Sequence, residues 1–230
     1  MAPTYVVGTR DRGSTAIAAP RFWTPILSIA DEKNILRAEA LARRDGMSAE
    51  ARAAASEKIA ERALAMRRHF PPGPVSAFWP IRTEVDTLPL MRRLHDHGVV
   101  VLLPRTRLPL LEFCAWRPGA ALAKGAFGLR EPEEGAEILE PATLFAPLAA
   151  FDRAGHRIGY GKGHYDRTLA ALRRRGDVLA VGLAFAAQEI GRTPVEPHDQ
   201  PLDAIVTEDE WIDIPSRRAA PGRGERSGDR

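Results

Sequence analysis

The chain has 230 residues, 44% of them hydrophobic and 27% charged, which is close to the composition of an average globular protein. This composition excludes a disordered chain and a fibrous repeat, and the single cysteine, Cys114, excludes a disulfide-stabilised scaffold. The net charge is +3, but residues 1–30 carry +2 and residues 216–230 carry +3, so the body is slightly acidic. The basic character therefore lies in the two ends of the chain.

The length predicts one domain, or two at most. We expect a single α/β domain over residues 31–215, with a disordered extension at 1–30 and a disordered basic tail at 216–230. The longest aliphatic run, at 99–103, is far shorter than the roughly 20 residues that span a bilayer. No signal-peptide core is found, so we expect a cytoplasmic protein, and we take it as a monomer. The Arg, Ser and Thr near the amino terminus leave a mitochondrial transit peptide as the alternative.

Apolar periodicity and capping signals predict helices that alternate with strands. The expected helices span 31–45, 49–68, 83–97 and 165–175. The expected strands span 75–79, 99–103, 110–116, 148–151, 178–185 and 204–207, the last of the chain. Residues 117–147 are rich in Gly, Pro and Glu and are predicted to form a long loop. Unbroken apolar strands between helices predict a three-layer α/β sandwich, with a mostly parallel central sheet and helices on both faces.

The first helix carries a basic pair, Lys33 and Arg37, four residues apart on one face. Its apolar stripe, expected to face the core, is Ile35, Leu36, Ala40 and Leu41. A solvated, salt-bridged surface is the ordinary interpretation of such a pair. Lys33 is one of only four lysines in the chain, which slightly favours a functional role.

The most specific motif is the segment 157–167, Arg-Ile-Gly-Tyr-Gly-Lys-Gly-His-Tyr-Asp-Arg, in which glycines alternate directly before a helix. Its glycines are Gly159, Gly161 and Gly163. Glycine lets backbone N–H groups approach a ligand closely, and the helix amino terminus adds partial positive charge. Lys162 and Arg157 add full charges, so the segment predicts a phosphate cradle, with a flexible hairpin as the alternative. The spacing matches neither a Walker A loop nor a Rossmann fingerprint.

Two acidic positions point to a metal. Asp166 lies in the first helical turn after the glycines, where its carboxylate would repel a phosphate unless a cation such as Mg²⁺ lies between them. Asp199 and Asp203 lie four apart between prolines, and one of them could reach the same metal. The alternatives are an acid that complements the helix dipole and a solvated loop.

A third segment follows the strand at 75–79. Trp79 could pack on a flat heterocycle, and the Glu84 carboxylate could accept hydrogen bonds from ring N–H groups. Thr83 and Asp86 resemble a capping box, which accounts for Asp86 without a ligand. All motifs except the basic pair follow strands, so they are expected at the carboxyl edge of the sheet, where such folds bind ligands.

Taken together, four motifs resemble the 5-formyltetrahydrofolate cyclo-ligase family, also called 5,10-methenyltetrahydrofolate synthetases, over about residues 31–212. They are Lys33-x-x-Leu36-Arg37, Glu84-Val-Asp86-Thr87, the segment 157–167, and Asp199-x-Pro-Leu-Asp203-x-Ile-Val-Thr207-Glu208. The resemblance implies an α/β catalytic domain that uses ATP and Mg²⁺ to close 5-formyltetrahydrofolate to 5,10-methenyltetrahydrofolate. The implied route phosphorylates the formyl oxygen and releases ADP and phosphate.

The resemblance also implies roles for individual residues. ATP-binding positions are Lys33, Arg37, Arg157, Gly159, Gly161, Lys162, Gly163 and Tyr165. Folate-binding positions are Trp79, Glu84, Tyr160 and His164, and the Mg²⁺ ligands are Asp166 and Asp199. Lys162 and Arg157 are the expected catalytic cations.

The expected partners are small-molecule substrates, without nucleic acid or membrane. His164 stands where the family usually has Tyr, which leaves open a paralogue that binds ATP and folate in a regulatory role. A nucleic-acid-binding protein that uses its basic ends is the alternative from another class, although the body lacks a basic stripe with interleaved aromatics.

Overall fold

The computed structural model describes residues 27–125 and 129–215. The predictions for the amino-terminal extension, up to residue 26, and for the tail from residue 216 lie outside these residues. The α-helices are α1 (Ile29–Asp45), α2 (Ala49–Ala65), α3 (Leu88–Asp96) and α4 (His164–Arg175), with 3-10 helices at Met66–His69 and Ala186–Gln188. The strands are β1 (Val75–Ser76), β2 (Val101–Arg107), β3 (Leu110–Trp116), β4 (Leu122–Lys124), β5 (Arg130–Pro132), β6 (Thr143–Pro147), β7 (Ala150–Phe151), β8 (Arg157–Ile158), β9 (Leu179–Leu183), β10 (Ala204–Val206) and β11 (Trp211–Asp213).

Seven strands form one sheet in the order β11-β10-β9-β6-β1-β2-β3. The five inner strands pair in parallel, and the edge strands β3 and β11 run antiparallel to their neighbours. The predicted mostly parallel sheet is therefore confirmed. Because the chain runs from β1 outward to β2 and then returns to β6 on the other side of β1, the strand order reverses between β1 and β6. Ligands bind at such reversals in open α/β sheets, beside the carboxyl ends of the strands.

Alternate residues of the strands feed two cores, one on each face of the sheet. Phe145 and Val181 pack in the core that contains residues of α2 and α3. Leu144 and Ala180, their neighbours in sequence, pack in the core that contains Leu169 of α4. This alternation follows from the two-residue period of a strand, and it confirms the predicted layers of helices on both faces. Within the part of the chain that the structure describes, none of the helices is both long and apolar enough to cross a membrane.

The helix α1 begins with a capping box between Ser28 and Asp31, close to the predicted start. The prediction that Ile35 faces the core is wrong, because its side chain is 46% exposed. Buried on α1 are instead Lys33, Ala40 and Arg44. The helix contacts β7 and the 3-10 helix that follows β9, so its inner face meets polar loops as well as the apolar core.

The predicted long loop at 117–147 is wrong. It contains the antiparallel pair β4–β5 and the central strand β6. The run from Thr143 continues directly into apolar residues 148–151, so one apolar pattern covers two separate strands. Only β6 joins the sheet, whereas β7 turns away and forms a hairpin with β8.

Two further boundaries differ from the prediction. The helix α3 begins after Thr87 rather than near residue 83, and the capping box of Thr83 and Asp86 does not form. The Asp86 carboxylate instead accepts from the backbone N–H of Leu88, and Thr83 bonds to side chains of α1. The strand at 204–206 is not the last, because β11 follows it and pairs antiparallel with it. Apolar periodicity does not reveal the start of α3, because prolines lie in and before the helix. It does not reveal β11, because this strand is short.

The Asp203 carboxylate locks β10 to its neighbours. Its Oδ2 accepts from the backbone N–H of Ala180 at 2.8 Å and from Arg173 Nη2 at 3.0 Å, in a largely buried position. Asp203 therefore has a structural role and faces the sheet rather than the predicted metal ligands.

We expect Asp203→Ala to lower the free energy of unfolding by about 3 kcal/mol, because it breaks a buried ion pair and leaves the N–H of Ala180 without its acceptor. Urea unfolding followed by circular dichroism measures this change. The matched control is Glu140→Gln, which breaks the exposed pair with Arg175 and should change stability little. Equal effects of the two substitutions would contradict the structural role of Asp203.

Candidate active site

Three loops meet at the carboxyl edge of the sheet, and they lie in the connections that lead out of the neighbouring strands β1, β6 and β9. We call them the Glu84 loop (79–87), the glycine loop (157–166) and the acidic loop (196–200). Helix α1 adds three cations to this region. The structure thus places the sequence-predicted motifs together at the strand-order reversal, as the sheet topology requires.

Lys33 joins α1 to the acidic loop. Its Nζ donates to Glu196 Oε2 at 2.8 Å and to Asp199 Oδ2 at 2.6 Å. Burial alone would lower the pKa of Lys33, but the bonds to Asp199 and Glu196 outweigh it and raise the pKa above its usual value. Of the solvated, salt-bridged surface that is the ordinary interpretation, the ion pairing of Lys33 is confirmed, but its solvation is wrong, because Lys33 is only 9% exposed. It is a charged group that holds two carboxylates together.

Arg37, one turn further along α1, joins the helix to the glycine loop. Its Nε donates to the carbonyl of Gly159 at 2.6 Å. Gly161 and Gly163 have φ of 85° and 64°, left-handed values that a side chain would strain, and Gly163 is also the N-cap of α4. Lys162 lies exposed between these two glycines. The loop therefore has a backbone shape that glycine permits, with a cation at its tip.

Arg157 and Asp166 tie the glycine loop to the acidic loop. Arg157 Nη2 donates to Asp166 Oδ1 at 2.7 Å, and Arg157 Nη1 donates to the carbonyl of Gln200. The backbone N–H of Gln200 donates to the same Asp166 oxygen at 3.1 Å. Burial lowers the pKa of Arg157, while the charge of Asp166 opposes this shift. Arg157 is 8% exposed and faces protein oxygens, so its contact with a phosphate stays a prediction.

The two predicted metal ligands lie on adjoining segments, because Asp166 binds the N–H of the residue that follows Asp199. Carboxylate oxygens are the donors that Mg²⁺ prefers. The hydrogen bonds of the described residues use Oδ1 of Asp166 and Oδ2 of Asp199, which leaves one oxygen of each carboxylate for an ion. Glu196 and His198 have ligand atoms within 4.8 Å of one another and of Asp199. The carboxylate oxygens of Asp199 and Glu196 therefore fit Mg²⁺, and a contribution of Asp166, which is not one of these three residues, stays a prediction.

The Glu84 loop and the glycine loop meet through Glu84 and Tyr160. Glu84 Oε2 accepts from the backbone N–H of Ile81 at 3.0 Å. Burial raises the pKa of Glu84, and its interactions with Ile81, Tyr160 and Arg44 oppose this rise. Burial and the neighbouring Glu84 charge raise the pKa of Tyr160 to about 12. The pair forms a half-buried polar spot at the point where the strand order reverses.

The remaining predicted residues border this region. Trp79 is half-buried and packs partly on the core of α2 and α3. His164 begins α4, and burial together with the charges of Arg167 and Lys162 lowers its pKa. Tyr165 packs against the core of α4, and burial raises its pKa.

Sequence reasoning missed Arg44, Thr83 and Glu196 as site residues. Arg44 is 2% exposed, and its Nη1 donates to the Tyr160 hydroxyl at 3.1 Å. A signal was present, because Lys33, Arg37, Ala40 and Arg44 follow helical spacing and form one stripe. No local pattern marks Glu196, and the capping-box pattern at Thr83 does not indicate its contacts with α1, which depend on the fold.

Comparison with known proteins gives one consistent family. A model of the 5-formyltetrahydrofolate cyclo-ligase family matches residues 29–208. The 5-formyltetrahydrofolate cyclo-ligase of Mus musculus is 27% identical over 80% of this chain and 97% of that protein. The one of Haemophilus influenzae is 30% identical over 66% of this chain and 84% of that protein.

Solved structures agree. The NMR structure of Aquifex aeolicus 5,10-methenyltetrahydrofolate synthetase superposes with a TM-score of 0.67 at 31% identity, over 86% of this chain and 96% of that chain. A 5,10-methenyltetrahydrofolate synthetase from Mycoplasma pneumoniae, 23% identical, shares the fold with a TM-score of 0.62 over 77% of this chain and 99% of that chain.

The environment of Tyr160 predicts a late-titrating phenol. In the native protein its ionisation should centre near pH 12, whereas in the unfolded chain it ionises near pH 10. Because the unfolded state loses the proton first, the free energy of unfolding should fall as the pH rises from about 10 to about 12. Tyrosinate absorbance of the native protein, compared with that of Tyr160→Phe, measures the shift. A difference spectrum that develops at the ordinary tyrosine pKa would contradict it.

Proposed function

Because the chain belongs to the 5-formyltetrahydrofolate cyclo-ligase family, we propose that it converts 5-formyltetrahydrofolate to 5,10-methenyltetrahydrofolate with ATP and Mg²⁺, and releases ADP and phosphate. One observation carries the proposal beyond the family assignment. Three loops of different chemistry meet at the strand-order reversal: a glycine loop with cations, an acidic loop and the half-buried Glu84 loop. This combination supports binding of a nucleotide, a divalent cation and a heterocycle side by side.

The chemical problem is the low electrophilicity of the N5-formyl carbon, which amide resonance stabilises. In the proposed route the formyl oxygen attacks the γ-phosphorus of ATP, and the bond to ADP breaks. The folate N10 then attacks the activated carbon, N10 loses its proton, and the formyl oxygen leaves with the phosphate. No step needs a protein nucleophile, so the protein acts by positioning the substrates and by neutralising charge.

The charged residues divide into two groups in this proposal. Lys162 at the tip of the glycine loop, with Arg37 on α1, would stabilise the negative charge of the transferred phosphoryl group. Lys33, an ATP-binding position by the resemblance, would act from its place beside Asp199 and Glu196. Asp166 and Asp199 would hold Mg²⁺, which supplies charge neutralisation at the phosphates. Arg157 would keep Asp166 in place, since its described contacts are with Asp166 and the carbonyl of Gln200.

The Glu84 loop would bind the folate. The Glu84 carboxylate can accept hydrogen bonds from ring N–H groups, and Trp79 offers an aromatic surface beside it. Tyr160 and His164, on the glycine loop and at the start of α4, would border the same ring. The formyl group would then lie between the Glu84 loop and the glycine loop, as the phosphoryl transfer requires.

Turnover of 5-formyltetrahydrofolate with Mg-ATP tests the proposal, with the absorbance of the methenyl product as the readout. We expect Lys162→Ala to lower kcat by roughly 100-fold or more, because it removes a cation from the phosphoryl group while the fold is kept. Lys58→Ala, at an exposed position on α2, is the matched control and should leave kcat unchanged. Folded wild-type protein that makes no product would overturn the proposal, and binding of both substrates without turnover would favour the regulatory alternative.

The metal assignment has its own test. Asp199→Asn should raise the Mg²⁺ concentration that gives half-maximal activity by about tenfold, because an amide is a weaker ligand than a carboxylate. The measurement is a Mg²⁺ titration at saturating ATP, with Asp209→Asn, an exposed acid, as control. Unchanged Mg²⁺ dependence would remove Asp199 from the metal site.

A further inference from the structure

We propose that Arg44 is a positioning residue of the folate pocket, which holds the Glu84 loop and the glycine loop in register across the strand-order reversal. The inference rests on the proposed function in one respect, because it takes Glu84 and Tyr160 as residues that bind the folate. It assigns a role to a residue that no motif marked.

The contacts of Arg44 reach both loops from one guanidinium. Its Nε donates to Thr83 Oγ1 at 3.0 Å, and its Nη1 donates to the Tyr160 hydroxyl at 3.1 Å. Thr83 belongs to the loop after β1, and Tyr160 belongs to the loop after β6. The planar, multi-donor guanidinium is suited to joining two such groups at fixed separation, which a lysine ammonium is not.

Burial makes these contacts strong constraints. Arg44 is 2% exposed, and its nearest carboxylate is that of Asp45, 3.7 Å from Nε and more than half exposed. Asp45 also accepts from the Thr83 hydroxyl. A buried cation with partners in two loops resists displacement of either loop, because any movement would leave a charged donor without its acceptor.

The backbone beside Thr83 supplies an independent reason for such a constraint. Arg82 has φ of 52°, the only positive value at a non-glycine position in the described residues. This left-handed conformation is costly for a residue with a side chain and persists only where neighbouring contacts enforce it. The bonds from Arg44 and Asp45 to Thr83 are such contacts, and they fix the turn directly before Glu84.

The Tyr160 contact transmits the constraint to the polar spot. Because the Tyr160 hydroxyl accepts from Arg44, its own proton is directed to another acceptor, and Glu84 is the acid that it interacts with. Arg44 therefore sets the position of the hydroxyl and the direction of its proton. Loss of Arg44 should loosen Glu84 and Tyr160 together and leave the phosphate-binding residues in place. Lys33 is about 16 Å distant along the helix, from the rise of 1.5 Å per residue.

The decisive experiment separates the two substrates. Arg44→Gln should raise KM for 5-formyltetrahydrofolate about tenfold, the size expected for loss of hydrogen bonds from a charged donor, and change KM for Mg-ATP less than about twofold. Equilibrium binding of 5-formyltetrahydrofolate without ATP, followed by tryptophan fluorescence, should weaken by the same factor. Arg44→Lys should also raise KM for 5-formyltetrahydrofolate, because the lysine ammonium cannot join two groups at fixed separation as the planar guanidinium does.

The neighbouring residue gives a matched control. Arg43 donates to the backbone carbonyls of Ala187 and Glu189, away from the Glu84 loop. Arg43→Gln therefore removes an arginine of the same helix and should leave KM for folate unchanged. A KM for folate that rises as much in Arg43→Gln as in Arg44→Gln would contradict the inference.

Coupling provides the last readout. Tyr160→Phe should weaken folate binding in the wild type and add little in the Arg44→Gln background, because both changes break one contact. Additive effects, or equal rises of both KM values in Arg44→Gln, would overturn the inference. If Arg44→Gln does not fold, Thr83→Val, which removes the acceptor of Arg44 Nε and the donor to Asp45, should still raise KM for folate selectively. Wild-type protein without turnover would refute the proposed function instead, so the two failures are distinguishable.

Discussion

The candidate active site, a crevice at the carboxyl edge of the sheet, depends on one constraint. A helix packed over the carboxyl ends of a parallel sheet must find hydrogen-bond partners for the cations that it buries. Lys33 and Arg44 on α1 are largely buried. Lys33 finds its partners in the acidic loop, and Arg44 finds its partners in the Glu84 loop and the glycine loop. A buried charge without a partner costs several kcal/mol, so the loops are bound to the positions where they meet these cations. The apolar layers hold the strands that precede the loops, and the α1 cations bond to Asp199, Thr83 and Tyr160 within the loops.

This arrangement explains why the acids and bases of the crevice coexist. Asp166 is paired with Arg157, and Asp199 with Lys33, so each predicted metal ligand has a cation at one oxygen. The pairs place a positive charge beside each carboxylate, and the hydrogen bonds of the described residues use one oxygen of each. The overall net charge of the chain says nothing about this local balance.

The layered fold was predictable from the sequence because long apolar runs and capping residues determine it. The parallel sheet, Ser48 as the N-cap of α2 and the edge strand at 110–116 follow from local patterns. The strand β6 was not predictable, because its apolar run merges with that of β7 and only sheet pairing separates them. Ile35 was misplaced for a related reason: the inner face of α1 is set by loops distant in sequence, and no local period reports them.

The residues of the candidate site also differ in whether the sequence could reveal them. The glycine loop and its acids could be found because their chemistry needs particular residue types in a fixed local spacing. The contacts of three other residues join segments that are distant in the chain: Arg44, Thr83 and Glu196. A single sequence does not show which distant residues contact one another. Arg44 shows the intermediate case, in which helical spacing places it on the stripe of Lys33 but does not reveal its partners.

The pairing of the first helix with the last loop of the crevice has a consequence for the newly made protein. Lys33 and Asp199 lie 166 residues apart in the chain. During synthesis α1 is therefore complete long before its partner exists, and the sheet must assemble around a helix whose cations still lack their acceptors. Contacts of such long range close late in folding, since the intervening chain must be ordered first. The ion pair between α1 and the acidic loop can therefore form only when nearly the whole domain has been made.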